Sequence, residues 1–469
     1  MTNTAYDTLT SPPFGTKDKI GYLLGNVAND FTFAFAGVFL LVFYTKVLGI
    51  PSELVGTMFL LARILDAFTD VTMGRIVDMY RGGKNGKFRP WLLYMSAPVS
   101  IASFLMYQST LASASMGIKI AYMFATYLLW GSIFYTSINI PYGSMASVIS
   151  PEADHRAALS TFRSVGSVFA NIAVGVVAPL FIYTSDASGN QVVQNGMFPR
   201  VAAIFSIIAF FCYLLCYSLT TERVNTQKLE RSTVKVSFKT TLKTLLTDRA
   251  LIGIVLASVF VLAAQLLSQA INQYLFIDYF RNKNGIMIIS VATMLPGLLL
   301  APAAVPLSRR FGKKEIGVFG SFCSAISCLL LFLIKTKSMW LYIVINILGF
   351  LGFGIFNLIT WAFITDIIDD RQVRTGTRED GTVYAVYSFA RKVGQAIAGG
   401  LGGWTLGWIG FDSSQQVQTE SVTQGIYTIA TLIPAILYFG VGLTLLLIYP
   451  LNKKQVENNV NKLKSRNNN

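Results

Sequence analysis

The stretch Arg63-Ile-Leu-Asp-Ala-Phe-Thr-Asp70 places one arginine and two aspartates inside an apolar segment that runs from Leu54 to Met79. Because an α-helix has about 3.6 residues per turn, Arg63, Asp66 and Asp70 share one helix face. A single charge at the centre of a bilayer costs about 2.5 to 3.5 kcal/mol on insertion scales. Charges kept at such a depth therefore indicate ion or substrate handling.

The composition around this stretch is that of an integral membrane protein. Of the 469 residues, 53% are hydrophobic and 13% are charged, and the mean hydropathy is +0.54. A spanning helix takes about 20 residues. The apolar segments predict an all-α membrane protein of twelve transmembrane helices, at residues 20–48, 52–78, 90–110, 118–149, 158–183, 198–220, 250–277, 286–307, 315–334, 339–367, 382–410 and 423–450.

The net charge of +15 is distributed unevenly between the two sides of these segments. Most of the 38 Lys and Arg residues fall in the termini and in the connections on the same side, while the opposite connections carry Arg281, Lys283, Lys335 and Lys337. This positive-inside pattern predicts a multi-pass protein of the cytoplasmic membrane with both termini in the cytoplasm. It accounts for the charge without nucleic acid, so the expected partners are the lipid bilayer and a small molecule, and the chain is expected to be a monomer.

The segments divide at a long polar stretch into two sets of six. This predicts an N-terminal bundle at 1–220, a cytoplasmic loop at 221–249, a C-terminal bundle at 250–450 and a cytoplasmic tail at 451–469. The basic, glycine-containing loops 78–87 and 308–314 resemble each other, as do Arg163-Ser-Val-Gly166 and Arg391-Lys-Val-Gly394. Such repetition is typical of an alternating-access carrier with its site between two repeated bundles.

The charged stripe is the candidate cation site. Asp66 and Asp70, with Thr69 between them, offer hard oxygen ligands to a small cation or a shared site for a proton. The hydroxyl of Thr136 and the carbonyl groups freed by Pro141 could complete the shell. Arg63 could neutralise a carboxylate when the ion is absent. The alternative is a plain salt bridge between helices, and no metal other than Na⁺ and no cofactor is expected.

Other polar residues at membrane depth are candidate sugar ligands. The Asp30 carboxylate could accept hydrogen bonds from sugar hydroxyls, or form a structural ion pair with a neighbouring helix. The Arg163 guanidinium suits bidentate bonding to a carboxylate or to vicinal hydroxyls. Tyr135 and Trp361 could instead serve packing, and Lys392 could instead face an intracellular partner. The further candidates are Tyr135, Asn139, Trp361, Tyr387, Ser388 and Lys392.

Acidic residues at the cytoplasmic ends of the segments are candidate gate residues. Asp78 precedes one basic loop, and Asp366 and Asp369 precede another group of arginines. No Walker loop or other nucleotide-binding motif is evident, so transport would be driven by a gradient. The sequence favours a transporter and not an enzyme.

Several motifs resemble the glycoside-pentoside-hexuronide:cation symporter family over nearly the whole chain. They are Ala62-Arg-Ile-Leu-Asp-Ala-Phe-Thr-Asp70, Gly86-Lys-Phe-Arg-Pro-Trp91, Ile140-Pro-Tyr-Gly-Ser144 and Arg391-Lys-Val-Gly394. The resemblance implies a major facilitator fold and cotransport of a sugar with a monovalent cation. It also implies a cation site at Asp66, Thr69, Asp70 and Thr136, and sugar contacts at Asp30, Arg163 and Lys392.

The chain departs from the melibiose-type members of that family at three positions. Thr69 stands where those carriers have asparagine, Asn139 where they have a sugar-binding aspartate, and Gly143 where they have a tryptophan. The sequence therefore predicts import of a glycoside, first of all a pentoside or a xylose-containing disaccharide, with a glucuronide or a galactoside as alternatives. The coupling ion is H⁺ or Na⁺. The rival functions are a sugar uniporter or exchanger and a sugar sensor that does not transport.

Overall fold

The structure is a computed structural model that describes residues 12–80, 82–83, 85–224, 248–376 and 380–467. Within these ranges nearly all of the chain is helical. The helices before the long polar stretch are α1 Thr16–Val42, α2 Ser52–Met79, α3 Arg89–Leu105, α4 Met116–Leu128, α5 Thr136–Ile149, α6 Ala153–Ile172, α7 Ala178–Ile182 and α8 Met197–Leu219. The helices after it are α9 Arg249–Tyr274, α10 Asn284–Ala292, α11 Leu295–Phe311, α12 Lys313–Ile334, α13 Met339–Thr375, α14 Asp380–Trp408, α15 Glu420–Leu443 and α16 Lys453–Asn467.

Short irregular elements extend or join these helices. Five π-helical turns lie within the described residues, at Phe43–Val47, Leu129–Tyr135, Ala173–Val177, Leu275–Tyr279 and Thr444–Ile448. A 3₁₀ turn covers Ser109–Ser113, and a small hairpin pairs Tyr183–Ser185 with Gln191–Val193. Because a π turn holds an extra residue, it shifts the face that the following residues present, and such turns are frequent at functional sites.

Helices occupy all of the predicted apolar segments, which confirms the predicted all-α membrane fold. Within the described residues, eight helical spans, several of them a helix together with an adjoining π turn, are long and apolar enough to cross a membrane. The number of twelve spans stays a prediction. The predicted segment 286–307 is two helices, α10 and α11, separated by a turn at Thr293–Met294. Pro296 lies in the first turn of α11, and because it lacks an N–H group it cannot donate the backbone hydrogen bond to Ala292 that would continue α10.

A second difference concerns Pro141. The sequence suggested a helix broken near this residue, but α5 continues through it to Ile149. The irregular turn lies earlier in the same segment, at the π-helical residues Leu129–Tyr135. The backbone irregularity in this segment is therefore next to Thr136 and not at the proline.

The chain forms two compact units. The first contains residues 1–50, 64–184 and 192–233, and the second contains 51–63, 185–191 and 234–469. Residues 51–63, the first part of α2, therefore group with the second unit. The predicted domain division stays a prediction, since residues 225–247 of the middle loop lie outside the described residues.

Each unit has its own apolar core. In the first unit, aromatic rings of α1 and α8 pack with rings of the segments that directly follow α1 and α3, with Phe35 at 4.8 Å from Tyr107 and Phe43 at 5.2 Å from Phe198 between ring centroids. In the second unit, a buried cluster joins α9, α13, α14, α15 and the segment that follows α15. It contains Ile254, Phe363 and Tyr449. Both cores are built from large side chains buried among several helices.

The predicted internal repeat of the basic loops has a structural counterpart. Gly86 and Gly312 precede α3 and α12 with φ angles of +98° and +97°, which only glycine adopts without strain. A Cβ atom on Gly86 would meet the Glu222 carboxylate, and one on Gly312 would meet that of Glu315. Each unit thus starts a helix with the same glycine geometry beside a glutamate.

The basic residues that follow these glycines also make similar contacts, since each donates to a backbone carbonyl near the end of a helix. Arg89 donates from Nε and Nη2 to the carbonyl of Tyr217, at 3.1 and 2.6 Å, near the C-terminal end of α8. Lys314 donates to the carbonyl of Tyr449 at 2.6 Å, just after the π turn that ends α15. A cation at a helix C-terminus satisfies its last carbonyl groups and complements the helix dipole.

The second predicted repeat sets the spacing of two helix pairs. A Cβ atom on Gly166 of α6 would lie 2.7 Å from the carbonyl oxygen of Leu23 in α1. One on Gly394 of α14 would lie 3.1 Å from Cα of Val259 in α9. In both units the glycine allows close contact with the first helix of that half of the chain.

Candidate functional site

The candidate cation residues lie on α2 and on the helix that follows the Leu129–Tyr135 π turn. Asp66 and Asp70 are both half-buried, and both belong to the first unit. The Oδ1 atom of Asp66 accepts a hydrogen bond from the Ser132 hydroxyl at 2.5 Å. The Oδ1 atom of Asp70 accepts one from the Thr136 hydroxyl at 2.9 Å. The structure therefore pairs each carboxylate with one hydroxyl group.

The spacing of these four residues explains the pairing. Asp66 and Asp70 are four residues apart, as are Ser132 and Thr136, so each pair occupies one helix face on successive turns. The Thr136 hydroxyl also lies 3.1 Å from the carbonyl oxygen of Gly131, five residues earlier, inside the π turn. The site thus collects two carboxylates, two hydroxyls and a carbonyl, which are the hard oxygen ligands that small cations take.

Thr69 has a different contact from the one predicted. Its hydroxyl donates to the backbone carbonyl of Asp66 at 3.2 Å, within its own helix. The hydroxyl that does meet the Asp66 carboxylate belongs to Ser132, which the sequence analysis did not single out. Arg63, the predicted charge-balancing residue, is half-buried on α2 and lies in the second unit.

The candidate sugar residues Asp30 and Arg163 meet around Asn26, also in the first unit. The Asn26 side-chain amide donates to Asp30 Oδ2 at 2.9 Å and to Ser167 Oγ at 2.8 Å. Its Oδ1 atom accepts from Arg163 Nε at 3.0 Å. The Ser167 hydroxyl donates to Asp30 Oδ2 at 2.6 Å. Asn26 is only 3% exposed, so this network is built into the interface of α1 and α6.

Aromatic residues support this network from α5. The Arg163 guanidinium lies 5.5 Å from the centroid of the Tyr142 ring, a contact that stabilises a cation. Tyr142 stacks on Tyr22 at 4.7 Å and donates from its hydroxyl to the Tyr22 carbonyl at 2.6 Å. One face of the guanidinium is thereby held against α5.

A second aromatic pair lies at the other end of the same helix contact. The rings of Phe33 and Tyr135 stack with centroids 5.4 Å apart. From Tyr22 to Phe33 along α1, the contacted partner moves back along the other segment from Tyr142 to Tyr135. The π turn with α5 is therefore antiparallel to α1. Asn139, four residues after Tyr135 and three before Tyr142, shares their helix face. This register places Asn139 on the side of α5 that faces the polar residues of α1.

The remaining candidate sugar residues belong to the second unit. Lys392 and Ser388 are half-buried on α14. Tyr387 is 4% exposed and packs in the apolar core of this unit, which favours a packing role. The side chain of Trp361 lies outside what the structure describes.

Two of the candidate gate residues take part in described contacts. Asp366 of α13 is 6% exposed and forms an ion pair with Lys313 at 2.6 Å, inside the second unit. The backbone carbonyl of Asp78, near the end of α2, accepts from Lys87 Nζ at 3.3 Å. Asp369 lies on α13, one residue before Asp370. The gate assignment of all three stays a prediction.

Asp370 belongs to a larger charge network in the second unit. It accepts hydrogen bonds from Arg374 Nε at 2.7 Å and from Asn459 of α16 at 2.9 Å. Arg374 and Arg371 also bind Asp248 at 2.7 and 3.1 Å. Asp248 is 2% exposed and caps the start of α9 through the backbone N–H groups of Ala250 and Leu251. This network ties α9, α13 and α16 together.

Three residues of the site were missed or given no role from the sequence. They are Asn26, Ser132 and Ser167. Ser132 lies four residues before Thr136, and Ser167 lies four after Arg163, so a search at helical spacing around the named candidates would have found both. Among the described residues, no group of three or more His, Cys, Asp or Glu side chains is arranged to hold a metal ion.

The fold and these sites define a class of protein. The chain aligns with the crystal structure of a D-xylose-proton symporter with a TM-score of 0.65 and 14% sequence identity, over 92% of this chain and 98% of the other. At this identity the match shows the fold alone. The protein thus has the major facilitator fold of a multi-pass membrane protein.

The family follows from sequence comparison. The family model described as MFS/sugar transport protein matches residues 21–453, and the chain belongs to that family. It is 31% identical to the glucuronide carrier protein homolog of Escherichia coli K12, over 93% of each chain. It is 30% identical to the putative glycoside/cation symporter YagG of the same organism, over 94% of this chain and 93% of the other. The predicted family resemblance is confirmed, and with it the prediction that the protein is a membrane transporter and not an enzyme.

Proposed function

We propose that the protein imports a glycoside across the cytoplasmic membrane together with H⁺ or Na⁺, as a monomer with both termini in the cytoplasm. The observation that carries the proposal is the pairing of Asp66 with Ser132 and of Asp70 with Thr136, in the same unit as the Asp30 and Arg163 network. Relatives named as a glycoside/cation symporter and a glucuronide carrier support the substrate class.

The contacts of the first unit suggest how cation and sugar binding are linked. Tyr135 immediately precedes Thr136, and its ring stacks on Phe33, three residues from Asp30. A cation bound between Asp70 and Thr136 would replace the hydrogen bond between them, which would adjust the position of Tyr135 and, through the ring contact, of α1. Such linkage is reciprocal, so sugar binding would tighten cation binding by the same factor by which the cation tightens sugar binding.

The substrate expected first is a pentoside or a xylose-containing disaccharide. Asn139 lies on the α5 face that the two aromatic pairs define, and an amide can both donate to and accept from sugar hydroxyls. A glucuronide and an α-galactoside are the alternatives. Uptake of labelled xylobiose, a phenyl glucuronide and melibiose by cells expressing the protein would distinguish them, and uptake of none of the three would contradict the proposed substrate class.

Cation coupling is tested with isosteric variants in membrane vesicles. Asp66→Asn and Asp70→Asn keep the side-chain shape but remove the charge, so sugar accumulation driven by a Na⁺ or H⁺ gradient should fall to the level of passive equilibration. Counterflow exchange without a gradient should persist at a reduced rate. Undiminished accumulation in both variants would remove these residues from coupling. Wild-type uptake that is independent of both gradients would indicate a uniporter, and sugar binding without flux would indicate a sensor.

A further inference from the structure

Asn26 lies between the two opposite charges of the candidate sugar site. Its Nδ2 group donates to Asp30 Oδ2 at 2.9 Å, and its Oδ1 atom accepts from Arg163 Nε at 3.0 Å. In the described part of the chain, Asp30 and Arg163 form no direct ion pair. The carboxylate and the guanidinium, both half-buried, are therefore connected through an amide, although opposite charges that share a neighbour ordinarily pair directly.

The network determines which atoms of the two charged groups are occupied. Asp30 Oδ2 accepts both protein hydrogen bonds, from Asn26 and from Ser167. Arg163 uses Nε on Asn26, and its plane lies over the Tyr142 ring. The Tyr22 side chain also hydrogen-bonds the Arg163 guanidinium, which carries five N–H groups and so keeps others unused. Within the described residues, Asp30 Oδ1 has no hydrogen-bond partner. One strong acceptor and further strong donors are thus left for a ligand.

The position of Asn26 is fixed by its surroundings. The side chain is 3% exposed, and both of its Nδ2 donors and its Oδ1 acceptor are engaged. Its Cβ atom lies close to Gly166 of α6, where an added Cβ would be 3.4 Å away. Asn26 therefore holds one orientation between α1 and α6, and a smaller residue there would leave Asp30 and Arg163 free to meet.

We propose that Asn26 is a positioning residue for sugar recognition, an inference that rests on the proposed function. It keeps Asp30 and Arg163 from forming a direct bidentate pair. The separated groups can then bind a vicinal diol, in which one hydroxyl donates to Asp30 Oδ1 and its neighbour accepts from an Arg163 Nη group. A ligand with a single isolated hydroxyl could use only one of the two charges.

The proposal predicts an unusual combination of effects for Asn26→Ala. The two charges would collapse into a direct pair that occupies the atoms the sugar needs. The KM for the glycoside that wild type transports from the xylobiose, phenyl glucuronide and melibiose panel should rise at least 10-fold. The maximal rate in a preloaded counterflow assay should change less. The melting temperature of the purified protein should stay unchanged or rise, because the new ion pair replaces the lost amide bonds. Asn26→Ser removes less of the side chain, so its KM should lie between those of wild type and Asn26→Ala.

The matched control is Asn29, a second buried asparagine on the same helix. It is 2% exposed, and its Oδ1 atom accepts from the Tyr213 hydroxyl at 2.8 Å; within the described residues it makes no hydrogen bond to Asp30 or Arg163. Asn29→Ala should lower the melting temperature through the lost buried hydrogen bond and leave KM within about twofold of wild type.

The outcomes separate this inference from the function on which it rests. If wild type transports none of the three glycosides, the proposed function fails and the inference fails with it. If wild type transports one of them and Asn26→Ala keeps its KM, only the inference is overturned. A fall in melting temperature of Asn26→Ala that matches that of Asn29→Ala, or failure of the variant to insert stably, would show a structural role and would also overturn it.

Discussion

The hydroxyl group of Thr136 provides a sharp test of the cation site. Thr136→Val keeps the branched shape of the side chain but removes the hydrogen bond of 2.9 Å to Asp70. A hydrogen bond to a charged group is worth about 1.5 to 3 kcal/mol. If the hydroxyl oxygen ligates bound Na⁺ with a similar strength, its loss should raise the Na⁺ concentration for half-maximal uptake about 10- to 150-fold, since about 1.4 kcal/mol corresponds to a factor of ten. The rise is expected for Na⁺ and not for H⁺, because a hydroxyl that donates to a carboxylate stabilises its charged, proton-free form.

The assay is sugar uptake into right-side-out vesicles over a range of Na⁺ concentrations at fixed pH, and over a range of pH without Na⁺. Thr69→Val is the matched control, because it makes the same chemical change on the neighbouring helix. The Thr69 hydroxyl donates to the carbonyl of Asp66 at 3.2 Å within α2, where an intrahelical bond of this kind contributes little. Its removal should change the half-maximal concentration by no more than about threefold.

Two results would refute this reasoning. An equal effect of Thr69→Val and Thr136→Val would mean that the two hydroxyls are equivalent, and that the bonds in the structure do not report the ligands of the ion. An unchanged half-maximal concentration in Thr136→Val would mean that Asp70 does not need its hydroxyl partner. Expression level and melting temperature of each variant separate both results from a loss of folded protein.

Two further predictions concern other contacts of the first unit. Ser132→Ala removes the hydrogen bond of 2.5 Å to Asp66 and should weaken cation dependence by about as much as Thr136→Val, as measured in the same vesicle assay. Glu222→Gln weakens the cap that accepts the backbone N–H groups of residues 87–89, so the protein should lose about 1 to 2 kcal/mol of stability in a denaturant or thermal series, with KM unchanged. A wild-type melting curve for Glu222→Gln, or unaltered cation dependence in Ser132→Ala, would contradict the corresponding prediction.

The positions of the helices could be predicted because one physical quantity decides them. A segment of about 20 apolar residues must satisfy its own backbone hydrogen bonds in lipid, and only a helix does so within one segment. The internal repeat could also be predicted from the sequence. The positive φ angles at positions 86 and 312 favour glycine, so the same residue type occurs in both basic loops. What the pattern could not predict is the π turn at Leu129–Tyr135, because apolar periodicity does not distinguish hydrogen bonds between residues four apart from those five apart.

The contacts within the site were harder to predict than its carboxylates. Asp66 and Asp70 stand out in the sequence because charge is rare at membrane depth, but any serine or threonine nearby is a plausible partner. A helical hydroxyl has one proton, which goes to its own backbone carbonyl unless a stronger acceptor is within reach. The Thr69 hydroxyl donates to a backbone carbonyl of its own helix, and the Ser132 hydroxyl donates to the Asp66 carboxylate. Because that choice depends on which helix faces which, the ligand set of such a site is decided by packing and not by local sequence.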